Sequence, residues 1–229
     1  MPAADIDGAE GLPGPAGPFF RHRHAILFYS LLLTLGAAPF LSALGAGTYL
    51  LQGFLALNLL GAAVSFRRAR GALVFLALAS IAVRFFAVRS GNLVLEEGSL
   101  LLWAGIALMA AIASLRFAFA TKRVDAENLY AALSAYLLVG IFCGMSYWAI
   151  ERTFPGSFAS GGGAMAPGAF SLARGMYFSF VTLATLGYGD LVPNSDLTRG
   201  LAVLEAVAGQ LYVAVIVARL VGAYAQRPD

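Results

Sequence analysis

The sequence predicts an all-α integral membrane protein: six transmembrane helices, with a short re-entrant helix and a loop between the last two. Three observations carry this prediction. Hydrophobic residues make up 60% of the 229-residue chain and charged residues only 12%, and mean hydropathy is +0.80. Six windows, residues 25–45, 48–66, 71–89, 99–119, 129–150 and 199–222, approach or exceed the roughly 20 apolar residues that a helix needs to cross a bilayer. A further apolar segment, residues 172–184, is too short to span and must fold back to the side it came from.

Residues 1–24 are rich in Pro, Gly and Ala and read as a disordered cytoplasmic segment. They lack the basic region and cleavage site of a signal peptide, so the first span directs insertion. Residues 25–119 hold four peripheral helices, 120–128 a cytoplasmic linker, 129–222 a second unit and 223–229 a short tail. Orientation follows from Lys and Arg beside the spans. With the N-terminus inside, Arg21, Arg23, Arg67, Arg68, Arg70, Arg116, Lys122, Arg123, Arg219 and Arg227 lie on the cytoplasmic side. Arg89, Arg152 and Arg199 lie outside, with Arg174 in the re-entrant segment. Both termini are therefore expected in the cytoplasm of a multi-pass inner-membrane protein.

A voltage sensor needs arginines at every third position on one helix, with acidic partners nearby. The fourth span offers only Arg116, at its inner end, which argues against strong voltage dependence. Arg84 lies about a turn inside the membrane and is expected to snorkel outward; an interhelical site is the alternative. Trp103, Tyr147 and Trp148 read as outer interface anchors. Arg116, Lys122 and Arg123 suit anionic lipid headgroups, and positive-inside charge explains them equally. His22 and His24, beside arginines, give little sign of a pH sensor. Cys143, alone in its span, reads as packing. No catalytic constellation, metal-ligand cluster, phosphate loop or nucleic-acid module is present, and the pI of 9.2 reflects the cytoplasmic arginines.

The most informative string is Thr185-Leu186-Gly187-Tyr188-Gly189-Asp190, set between the short helix and the last span. It resembles the ion-selectivity filter of a potassium channel. Potassium sheds water to be recognised, and rings of backbone carbonyls replace the lost oxygens. Successive carbonyls point one way only if the backbone alternates in conformation, and Gly187 and Gly189 reach left-handed regions that a side chain penalises. The expected K+ ligands are the carbonyls of Thr185, Leu186, Gly187 and Tyr188 and the Thr185 hydroxyl, with the Tyr188 ring as an outward strut. Residues 151–170, including Gly161-Gly162-Gly163, suit an irregular turret, and Ser171 suits the cap of a helix over 172–184. That helix would aim its partial negative end at the ion.

The run Tyr177–Pro193, followed by Leu204–Tyr212, resembles the pore domain of the tetrameric potassium channel superfamily. It is most similar to small prokaryotic six-helix channels without a large cytoplasmic domain. The resemblance covers roughly residues 129–222 and implies a fourfold homotetramer with a central potassium pathway, K+ as permeant ion and no other cofactor. Few residues follow the last span, so no appended nucleotide- or calcium-binding gate is expected. The departures are Leu186 for Val, Ala184 for a second Thr, Val181 where some bacterial channels carry Glu, and Phe178, which lacks an indole donor for Asp190.

Several residues around the string suit filter support. Glu205, one turn before Gly209 in an apolar span, is expected to brace the pore helix through Ser179 or Thr182; a merely structural carboxyl is the alternative. Glu151 would tie the turret to the start of the last span, or cap a solvated helix end. Asp190 would bond behind the filter or face the outer mouth. Gly209 fits a gating hinge and fits close helix packing equally well. The reading is a potassium-selective channel. The alternatives are a nonselective monovalent cation channel of the same architecture, or a non-conducting structural or transport subunit.

Overall fold

The computed structural model describes residues 22–43, 47–65, 70–91, 93–120, 125–166 and 168–225. The segment 1–21, the basic residues Arg67, Arg68, Lys122, Arg123 and Arg227, and the end of the tail lie outside the described residues. Among the described residues seven helices follow in order: α1 (Arg23–Ala43), α2 (Gly47–Ser65), α3 (Arg70–Ser90), α4 (Leu93–Phe119), α5 (Ala126–Thr153), α6 (Leu172–Leu183) and α7 (Asp196–Ala225). Six of them match the expected spans to within a few residues. By length and composition α4, α5 and α7 are able to cross a membrane, while α1, α2 and α3 hold shorter apolar stretches, Arg23–Ala37, Leu50–Ala62 and Val74–Ala87.

The fold is not purely helical. Three short strands, β1 (Phe158–Ser160), β2 (Gly163–Ala164) and β3 (Leu191–Pro193), form an antiparallel sheet in the order β2-β1-β3. Gly161 and Gly162 join β1 to β2 with φ of 63° and 82°, the left-handed pair that a two-residue hairpin turn requires. The segment expected to be an irregular turret is thus a hairpin whose third strand comes from the far side of the filter string. Ser160 pairs with Leu191 and Phe158 with Pro193.

Helix α5 is the axis of the molecule. It packs against α4 and α1 on one side and against α6 and α7 on the other. Its start is capped by Asp125, whose carboxylate accepts from the Asn128 N–H at 2.8 Å. On the α6 side the backbones come close together: a Cβ on Gly175 would lie 2.5 Å from the Gly144 carbonyl oxygen. The buried core runs through both halves, from Leu27, Leu31 and Leu55 through Trp103 and Leu138 to Phe158, Phe170 and Phe178.

Two expectations for this framework are corrected. Trp103, Tyr147 and Trp148 are not surface anchors: they are 2%, 2% and 7% exposed, with Tyr147 packed edge-on against Phe158 and Phe178. Arg84 does not reach outward. It is buried, with Nε donating to the Gln52 Oε1 at 3.3 Å and Nη1 to the Ser99 Oγ at 3.5 Å. Helices α2 and α4 supply acceptors within reach, so the guanidinium is held in the bundle.

Candidate functional site

Helix α6 begins where the sequence places it. The Ser171 Oγ accepts from the Arg174 N–H at 3.3 Å, capping a helix that runs to Leu183. Its other end passes directly into the filter string, and there the backbone alternates. Thr185, Gly187 and Gly189 have φ of 57°, 56° and 79°. The two glycines adopt this region at little cost. Thr185 is the described non-glycine residue with positive φ, a conformation that costs a β-branched side chain on the order of 1–3 kcal/mol.

The alternation sorts the peptide groups. The Leu186 N–H donates to the Val181 carbonyl at 2.8 Å, and the Gly187 N–H reaches the same oxygen at 3.4 Å. The Thr185 N–H donates to the Thr182 carbonyl at 2.9 Å. These donors therefore turn back toward α6. Among the described residues no backbone donor takes the carbonyls of residues 185–188. A strand whose first three donors are spent on the helix and whose carbonyls take no backbone donor is chemically suited to a dehydrated cation.

Behind the string, Glu205 of α7 is buried and bonded on both oxygens. The Ser179 Oγ donates to Oε1 at 2.5 Å, and the Tyr147 hydroxyl donates to Oε2 at 2.7 Å. The Cys143 thiol is a third neighbour. Ser179 also contacts the Gly140 carbonyl oxygen at 2.7 Å. Of the two expected partners Ser179 is therefore the one that meets Glu205. Thr182 instead serves the string through its backbone carbonyl. Tyr147, expected at an interface, is part of this cluster.

Glu151 holds the turret from below. Its Oε1 accepts from the Gly156 N–H and its Oε2 from the Phe158 N–H, both at 2.9 Å. The link to the start of α7 is indirect. The turn that Glu151 fixes presents the Ser157 carbonyl to the Asn194 N–H at 2.7 Å and to the Thr198 hydroxyl at 2.9 Å. At the other end of the string, the Asp190 carbonyl accepts from the Ser160 Oγ at 2.9 Å. The Asp190 side chain itself is exposed.

Gly209 sits at the closest approach of α7 to α6: a Cβ there would lie 2.5 Å from the Leu183 carbonyl oxygen. The same carbonyl accepts from the Tyr136 hydroxyl at 3.2 Å. Next to Gly209, the Gln210 Nε2 donates to the Thr185 Oγ1 at 3.0 Å. Gln210 was within view as a polar residue in an apolar span, but only the fold shows what it touches.

Comparison with known proteins agrees with this geometry. A sequence profile for the family described as Ion channel matches residues 132–226. Two pore potassium channel a of Oryza sativa subsp. japonica is 33% identical over 88 residues, 38% of this chain and 22% of that protein. Inward rectifier potassium channel Kirbac3.1 of Paramagnetospirillum magnetotacticum is 35% identical over 97 residues, 41% of this chain and 28% of its own. Protein LctB of Bacillus caldotenax is 30% identical over 103 residues, 44% of this chain and 76% of LctB. The match thus spans about a fifth of the plant relatives. No solved structure matches.

Proposed function

The chain belongs to the potassium channel superfamily, and on that premise we propose that it is a potassium-selective channel passing K+ passively down its gradient. The observation that carries the reading is the alternating backbone of Thr185, Gly187 and Gly189, with the N–H groups of Thr185, Leu186 and Gly187 spent on α6. Four copies of this strand around an axis would offer K+ rings of carbonyls from Thr185 to Tyr188, with the Thr185 hydroxyls at the inner end.

Assembly as a homotetramer is supported by the faces left open. Val203, Leu204, Val207 and Leu211 on α7 are each more than half exposed, as are Leu186 and Tyr188. An apolar surface of this extent next to the string asks for further copies of the same chain. Six spans are supported by the lengths of α1, α2 and α3, at 21, 19 and 21 residues, or roughly 30 Å each at 1.5 Å per residue. The surplus of Lys and Arg then places both termini in the cytoplasm and the sheet outside the inner membrane. Arg116, exposed beside a groove lined by Leu115, Phe119 and Tyr212, suits an anionic lipid. Buried Arg84 is the charge in α3 that faces the bundle, and one arginine of this kind gives little gating charge.

Rubidium tracer uptake into liposomes with trapped potassium tests the function. The wild type should load the tracer, and Gly187→Ala should not while remaining tetrameric. Equal uptake by both proteins would contradict the filter assignment.

A further inference from the structure

Thr185 carries a strained backbone and a hydroxyl at the inner end of the string, and something outside the string must hold both. The candidate on the page is α7. Gly209, by lacking a side chain, lets α7 settle onto the Leu183 carbonyl. Two residues beyond Gln210, the Tyr212 hydroxyl donates to the Ala132 carbonyl of α5 at 2.6 Å, and its ring lies 5.8 Å from that of Tyr136. These two contacts fix the rotation of α7 about its own axis. At 100° per residue, Gln210 is then turned away from α6 and α5 toward the exposed side of the string. There its amide meets the Thr185 hydroxyl at 3.0 Å.

We propose that Gln210 is the positioning residue for the innermost ion site: its amide holds the Thr185 hydroxyl in register and sets how strongly that oxygen binds an ion. The inference rests on the potassium-filter reading above. A hydroxyl oxygen has two lone pairs and one proton. With the amide N–H on one lone pair, the hydroxyl loses its freedom to rotate, and the remaining lone pair is aimed by the Gln210 contact. The bond also adds a tether to a residue that the Thr182 carbonyl alone would hold against its φ of 57°. In a fourfold assembly four such amides would ring the inner mouth, so the contact is repeated at each subunit.

Two substitutions separate the roles. Gln210→Leu fills similar space with no donor and frees the hydroxyl. Gln210→Glu turns the contact round: the Thr185 hydroxyl donates to the carboxylate, both of its lone pairs face the ion, and a negative charge stands nearby. Barium, close to potassium in size and doubly charged, is the probe. Applied from the side that α7 lines, to single channels of purified full-length protein in planar bilayers, it should block Gln210→Leu about fivefold more weakly than wild type. It should block Gln210→Glu more tightly than wild type. In a Thr185→Ala background, Gln210→Leu should cause no further change, since interacting residues lose their coupling when one is removed.

Block constants within twofold of wild type for both variants would overturn the proposal. So would an unchanged effect of Gln210→Leu in the Thr185→Ala background, which would make Gln210 a cavity residue acting without Thr185. If Gln210→Leu does not assemble, Gln210→Glu and Gln210→Asn decide the matter by the same readout. A wild-type channel that does not distinguish potassium from sodium would instead sink the filter reading on which the inference rests.

Discussion

The Ser179 hydroxyl donates to the Glu205 carboxylate at 2.5 Å, joining the short helix that ends at the filter string to the last helix of the chain. Tyr147 of α5 completes the junction from the other side at 2.7 Å. One buried carboxylate therefore ties three helices together behind a strand that has few contacts of its own. Removing it as Glu205→Ala takes the acceptor from the buried Tyr147 hydroxyl, at a cost of about 1–3 kcal/mol. It also leaves the Ser179 hydroxyl to the Gly140 carbonyl alone, so the tie to α7 is lost. The protein should melt at clearly lower temperature, and Glu205→Gln, which still accepts one hydroxyl, should fall between. An unchanged melting temperature for Glu205→Ala would mean that the junction is not structural.

Gly209 tests the packing reading of the inner helix. A methyl group there would lie 2.5 Å from the Leu183 carbonyl oxygen and 2.9 Å from the Leu183 Cδ1, so α7 must move away from α6. Overpacking of this kind typically costs about 1–3 kcal/mol. Gly209→Ala should lower stability and conductance together. A variant of unchanged stability with altered open probability would favour the hinge instead.

Glu151 makes two bonds to backbone N–H groups, one from each carboxylate oxygen. Glu151→Ala leaves both donors without that partner, and bonds to a charged acceptor are worth about 1.5–3 kcal/mol each. Hydrogen exchange should accelerate at residues 156–160, and through Ser160 and Leu191 the filter exit should loosen. Protection as in wild type would show that the sheet stands without Glu151.

Much of this architecture is legible in the sequence, for definable reasons. Apolar runs and the Ser171 cap place the helices because composition and local chemistry decide them. Gly187 and Gly189 announce left-handed backbone, since only glycine reaches it at little cost. What stayed hidden depends on contacts between distant segments. Tyr147 and Trp148 look like interface aromatics until α6 and the sheet are packed on α5. Arg84 looks exposed until Gln52 and Ser99 are brought beside it. The left-handed φ of Thr185 has no local signature, because a β-branched residue adopts it only where the surrounding structure imposes it. The hairpin at Gly161-Gly162 was readable from its turn chemistry, whereas its pairing with β3 needed the fold.

The central claim is that residues 185–189 select potassium, and the reversal potential of purified protein in planar bilayers tests it most directly. With potassium on one side and sodium on the other, the account predicts a reversal near the potassium limit. A reversal near zero would contradict it and leave a nonselective cation channel of the same architecture.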